Sequence, residues 1–203
     1  MQRKPLSPCA DQVRRADPDR YLTALYAAAE AREDLFALYA LNDELARARE
    51  VTDEPLVSAL RLQWWRDALD AAASPGPFSP QRLPRHTVPR HPVAEGVARA
   101  QARRPWDAGL VERLIAARED DPRPSPPADL QAVEARAEAT AGTLAALALG
   151  VLAIDDPLTA EAARHGAIAY GLAGVLRATA ALAARRIVVL PANAMAAEGL
   201  TSG

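Results

Sequence analysis

Several kinds of chemistry are closed to this chain by what it lacks. Cys9 is the only cysteine, so no internal disulfide and no cysteine metal cluster can form. A reducing compartment fits that usage, and no clear base accompanies Cys9 for a nucleophilic role. Lysine is limited to Lys4; the arginine and alanine excess reads as genome composition. The three histidines are His86, His91 and His165, too scattered for the close ligand spacing that zinc needs. The first two fall in a proline-rich stretch with no nearby carboxylate partner. No Gly-rich phosphate loop and no GxSxG elbow is present. A net charge of −2 leaves no electrostatic footprint for nucleic acid. The N-terminus, MQRKPLSPCADQVRRADPDR, lacks an apolar core, so it is not read as a secretory signal, and Asp11 and Asp17 argue against a transit peptide. The longest uncharged run, Ala139 to Ile154, has 16 residues. It is short for a membrane span and reads as a buried core helix. A cytoplasmic location is expected, with peripheral membrane association left open.

What remains favours helices. Hydrophobic residues make up 50% of the 203 positions and aromatics only 4%. Ala and Leu dominate the apolar set, with few β-branched residues. Residues 1–16 are expected to be a flexible segment ahead of a single domain, 17–203. Asp17-Pro18-Asp19 reads as a helix start, and one long helix is expected from Arg20 to about Val51, where Gly and Pro are absent. A second runs from about Leu56 to Ala73. The stretch 74–92 holds six prolines in nineteen residues and reads as a loop. Helical pattern returns over 93–119 with a break at Pro105. A second proline-rich loop is placed at 120–128, then helices at about 129–154 and 158–184. RRIVVLP is expected to be extended or a turn, and a last helical segment covers 192–200. The sum is an all-α bundle of about six helices.

Two local features stand out. Trp64-Trp65 lies among Arg61, Gln63, Arg66 and Asp67. Adjacent helical residues point about 100° apart, so both indoles are buried only beneath a broad cover. Core packing with an Arg61–Asp67 surface pair is favoured over an Arg-and-Trp wall beside a ligand cavity. On the first long helix, Leu38, Leu41, Leu45 and Ala48 form a core stripe. A polar stripe holds Tyr39, Asp43, Arg47 and Glu50, and its Asp43–Arg47 spacing suits an ordinary i,i+4 ion pair.

Five ordered segments resemble the squalene/phytoene synthase family. They are AAAEAREDLFALYALNDELARARE (27–50), EPLVSALRLQWWRDAL (54–69), LVERLIAAREDD (110–121), EARAEATAGTLAALAL (134–149) and AIAYGLAGVLRATAALAARRIVVLPANAMAAEGL (167–200). The fourth is similar to the family's Tyr-x-x-x-Thr/Val-Ala-Gly helix, with Arg136 where Tyr usually stands. The resemblance implies an isoprenoid synthase-like bundle, incomplete at its C-terminal end because family members continue for several more helices. It also implies, for active members, two DxxxD motifs holding Mg²⁺ against prenyl diphosphates. Hard oxygen ligands hold Mg²⁺, which neutralises the leaving diphosphate. Carried onto this chain, the first motif falls on Ala46 and Glu50, and the second on Ala178 and Leu182. Three of the four acids are absent.

That resemblance implies two readings. The favoured one is a catalytically degenerate member that binds a prenyl or lipid ligand or a protein partner. NDELARARE and RLQWWRDAL resemble a divergent branch of the family that includes a respiratory complex I assembly factor. The other is an active head-to-head prenyltransferase that condenses two prenyl diphosphates. Candidate substrate-binding residues are Arg32, Tyr39, Asp43, Arg47, Glu50, Arg61, Trp65 and Arg177. No cofactor is expected in the first reading. In the second, Mg²⁺ is, with Glu50 as the one family-position ligand.

Overall fold

The structure is a computed structural model that describes residues 5–48, 54–73, 91–119 and 126–200. Every regular element among them is helical. They divide into two compact units, Met1–Ala108 with Gly150–Ala153, and Gly109–Leu149 with Ile154–Gly203, where the sequence had suggested a single domain.

In the first unit, α1 (Pro8–Ala16), α2 (Pro18–Ala24), α3 (Ala29–Arg47), α4 (Pro55–Ala73) and α5 (Pro92–Arg103) follow in order. Local chemistry starts each of the first two. Ser7 accepts the backbone N–H of Ala10 at 3.1 Å ahead of Pro8. Asp17 accepts that of Arg20 at 3.0 Å ahead of Pro18. Such caps each contribute about 1 kcal/mol, and proline in the first turn loses no bond. The expectation of a flexible 1–16 is thus overturned for residues 8–16. Cys9, Ala10 and Val13 are buried on α1, and their apolar contact orders the segment. The single helix expected from Arg20 to Val51 is also corrected. It breaks at 25–28, where Ala28 takes an extended conformation, ψ 144°, and Arg32 Nε donates to the Ala27 carbonyl at 2.9 Å. A run of good helix formers carries no sign of that break, so tertiary contacts override propensity there.

The stripe Leu38, Leu41, Leu45 and Ala48 is buried, at 0–2% exposure. Each leucine stabilises the fold by about 1.5–3 kcal/mol. Leu62 on α4 and Val93 and Val97 on α5 complete this core. Asp34 is buried on α3 and takes a two-point bond from the Arg103 guanidinium of α5, which joins the two helices. The proline-rich loop ends one residue earlier than expected, because Pro92 opens α5; residues 74–90 of that loop lie outside the described residues.

The second unit holds α6 (Ala108–Glu119), α7 (Leu130–Ala137), a π-helical turn (Glu138–Gly142), most of α8 (Thr143–Leu152), α9 (Pro157–Ala184) and α10 (Ala192–Ala197). Of the loop expected over 120–128, residues 126–128 are described and are not helical. The carbonyls of Pro127 and Ala128 accept the first N–H groups of α10, from Ala192 at 2.8 Å and Asn193 at 3.1 Å, donors that no intrahelical partner can satisfy. Gly171 brings α9 close to the preceding helix. A Cβ there would stand 3.2 Å from the Ala141 Cβ and 3.4 Å from that of Ala137. None of the 28 residues of α9 is buried. Its most apolar stretch has a mean hydropathy of 1.5, and by length and composition it could cross a membrane, as could the run Leu130–Leu152. The uncharged run Ala139–Ile154 falls largely within that second stretch and buries Ala141, Leu144, Leu147, Ala148 and Val151, in keeping with a core helix.

Candidate functional site

The apolar stripe of α3 turns inward, which leaves Asp43, Glu44 and Arg47 on another face of the helix. That face meets α1. One amide nitrogen, Gln12 Nε2, donates to Asp43 Oδ2 and to Glu44 Oε1, each at 2.7 Å, using both of its protons. Arg47 Nη1 lies 3.6 Å from Asp43 Oδ2, the i,i+4 pair its spacing suggests. The start of α5 closes the arrangement. His91 Nε2 stands 3.9 Å from Glu44 Oε2. The imidazole meets Trp64 and Trp65 of α4 with ring centroids 5.5 and 5.1 Å apart, and the two indoles pack edge to face at 4.8 Å. These residues border a cleft of about 880 Å³ lined by Gln12, Asp43, Glu44, Arg47 and His91, with Pro5, Leu6 and Pro8 on another side.

His91 therefore has a carboxylate beside it, contrary to the reading that it has none. Glu44 lies 47 positions away in sequence, and only the packing of α3 against α5 brings the two together.

The polar stripe of α3 splits in two. Tyr39 does not line the cleft. The Arg20 guanidinium sits 5.8 Å from the centroid of its ring, and Arg20 Nη1 is bonded to Asp17 at 2.5 Å. Burial raises the Tyr39 hydroxyl above its ordinary pKa; nearby Arg20 pulls the other way. Glu50 lies outside the described residues. Arg32 serves the turn at 25–28. Trp65 is a core side chain, 4% exposed, as the core-packing reading held. The pair expected for Asp67 is replaced by a bond from Gln63 Nε2 at 2.9 Å, and Arg61 is exposed. Arg177 lies over the Tyr170 ring of its own helix at 5.4 Å. Ala178 and Leu182, at the family's second acidic positions, are half-buried.

The second unit has its own crevice, about 290 Å³, lined by Arg113, Glu138, Gly142, Thr143, Glu161 and Arg164. None of the sequence candidates lies in it. Arg164 Nη1 bonds to Glu138, and the missing Cβ of Gly142 makes room for that carboxylate, since a Cβ would come within 3.1 Å of Glu138 Oε1.

A magnesium cluster of the kind the resemblance implies does not fit these residues. Gln12 already turns two amide protons toward the only adjacent acids of α3. Among the described residues, no three His, Cys, Asp or Glu side chains converge as a metal site.

Residues 13–203 match the squalene/phytoene synthase family. The chain belongs to that family. It is 31% identical over 193 residues to "NADH dehydrogenase (ubiquinone) complex I, assembly factor 6" of Bos taurus, covering 95% of this chain and 55% of that protein. The Homo sapiens protein of that name is 28% identical over the same span. The Drosophila melanogaster homolog is 27% identical over 194 residues, 95% of this chain and 56% of that protein. The chain thus spans just over half the length of these curated relatives. Its squalene/phytoene synthase match runs through both units.

Proposed function

We propose that this squalene/phytoene synthase family member works by binding rather than by prenyl transfer, and that its role is in the assembly of a respiratory NADH dehydrogenase complex. The observation that carries the reading is the set of residues at the family's acidic positions. Ala46 stands in the first motif, and Ala178 and Leu182 in the second. A diphosphate leaving group needs its charge met by hard cations held from two helices, and methyl and isobutyl groups supply no oxygen. The assembly role rests on the relatives named above, all of them assembly factors matched along 95% of this chain.

The test has two parts. Purified protein incubated with Mg²⁺ and a prenyl diphosphate should release no diphosphate and form no condensed hydrocarbon. Tagged protein expressed in a host with a respiratory NADH dehydrogenase should be recovered with partly assembled subunits of that complex. Mg²⁺-dependent product formation would overturn the reading in favour of head-to-head prenyl transfer.

A further inference from the structure

We propose that His91 is a protonation switch that latches the start of α5 onto α3 and so sets the width of the cleft between α1 and α3. Four elements meet at its ring. Glu44 reaches it from α3, Trp64 and Trp65 from α4, and the chain itself begins α5 there. Gln12 of α1 is one step removed, through its bond to Glu44. The Nδ1 atom is buried and has no hydrogen-bond partner among the described residues, so the neutral ring is anchored by packing alone.

The surrounding charges leave Glu44 as the natural partner. On α1, Asp11 is paired with both Arg14 and Arg15. On α3, Asp43 is paired with Arg47. On α5, Glu95 is paired with Arg99 at 3.9 Å. On α4, Asp67 accepts from Gln63. Glu44 Oε2, at 3.9 Å from Nε2, is about 1 Å beyond a charge-assisted hydrogen bond. Adding a proton to the ring supplies the force to close that gap. The two indoles favour a cation at this distance. The positive end of α5 opposes it, but that end is a single dipole set against one carboxylate and two π-systems. Contraction draws Glu44 toward α5 and weakens its hold on Gln12, so the cleft responds to acid.

Indole emission reads the switch directly, because a protonated imidazole quenches a neighbouring indole. In a W106F background, which leaves Trp64 and Trp65, emission should fall in one step as pH is lowered from about 8 to 5. H91Q should abolish the step. E44Q should keep it but move its midpoint to lower pH, since the carboxylate favours the charged ring. Flat emission in the parent, an unaltered step in H91Q or an unmoved midpoint in E44Q would each overturn the proposal. Should H91Q fail to fold, proton resonances of the parent give the same answer. The Trp64 and Trp65 indole signals must move with that of His91, and indoles that stay still while His91 titrates overturn it.

Discussion

At the scale of single residues, Cys9 ties folding to pH. Its side chain is buried against α5, with the thiol 3.9 Å from the Pro92 carbonyl, and burial pushes the thiol from 9.0 up to about 11. Below pH 9 the group is protonated in both folded and unfolded chains and contributes no pH dependence. Between pH 9 and about 11 the unfolded chain releases the proton while the folded chain keeps it. Stability is lost over that window, by up to about 2–3 kcal/mol. Denaturant midpoints measured from pH 8 to 11 should decline, and decline less in Cys9→Ala. Tyr39, raised by burial from 10.0, adds a part that the substitution leaves in place. At neutral pH the folded protein should react with a thiol reagent only as fast as it opens. What sequence reveals at this scale depends on the reach of each contact. The Asp43–Arg47 pair and the Leu38–Leu41–Leu45 stripe follow from helical spacing. The His91–Glu44 approach and the Gln12 bridge do not, because they join residues 47 and more than 30 positions apart.

At the scale of elements, α1 and α5 touch where there is least room. A Cβ on Gly96 would lie 2.5 Å from Cys9 Sγ. Gly96→Ala gains about 1 kcal/mol of helix propensity but forces an overpacked contact that costs about 1–3 kcal/mol. We expect a net loss near 1 kcal/mol in urea unfolding. Cys9→Ala removes the sulfur, so the double variant should recover most of that loss. The two changes should couple rather than add, and simple additivity would show that the contact is not shared. Helix identities and starts were largely legible in the chain, since Asp17-Pro18, Asp156-Pro157 and the proline clusters each mark a start or stop. α1 was hidden because its order comes from tertiary burial of a short segment. The break at 25–28 was hidden because Ala and Glu continue a helix as readily as they end one.

At the scale of the molecule, α9 presents large apolar side chains to solvent. Leu158 is 77% exposed and Leu176 67%, in a helix without one buried residue. Apolar surface of that extent is unusual on a protein that acts alone. The purified chain should therefore bind a hydrophobic dye such as ANS in its native state. Leu158→Gln with Leu176→Gln should cut that signal with a change in stability within about 0.5 kcal/mol, the range of ordinary surface substitutions. An unchanged signal would place the exposed surface elsewhere, for example at Leu22, Leu25 and Tyr26. The family was readable from five ordered segments because they span most of the chain. The candidate site was not, since the acids that remain, Asp43 and Glu44, are held by Gln12 in a cleft that the family pattern does not describe.

The π-helical turn at Glu138–Gly142 has a consequence for how this chain can vary. Such a turn holds one more residue than an α-helical one. Removing any residue from it would restore ordinary winding and rotate everything beyond it by about 100°. Leu144, Leu147 and Ala148, now buried, would swing away from their neighbours together. Substitutions in this stretch are tolerable wherever volume allows, but its length is not free to change: the turn works as a counted spacer, and a one-residue deletion there would be felt as a whole-helix misalignment.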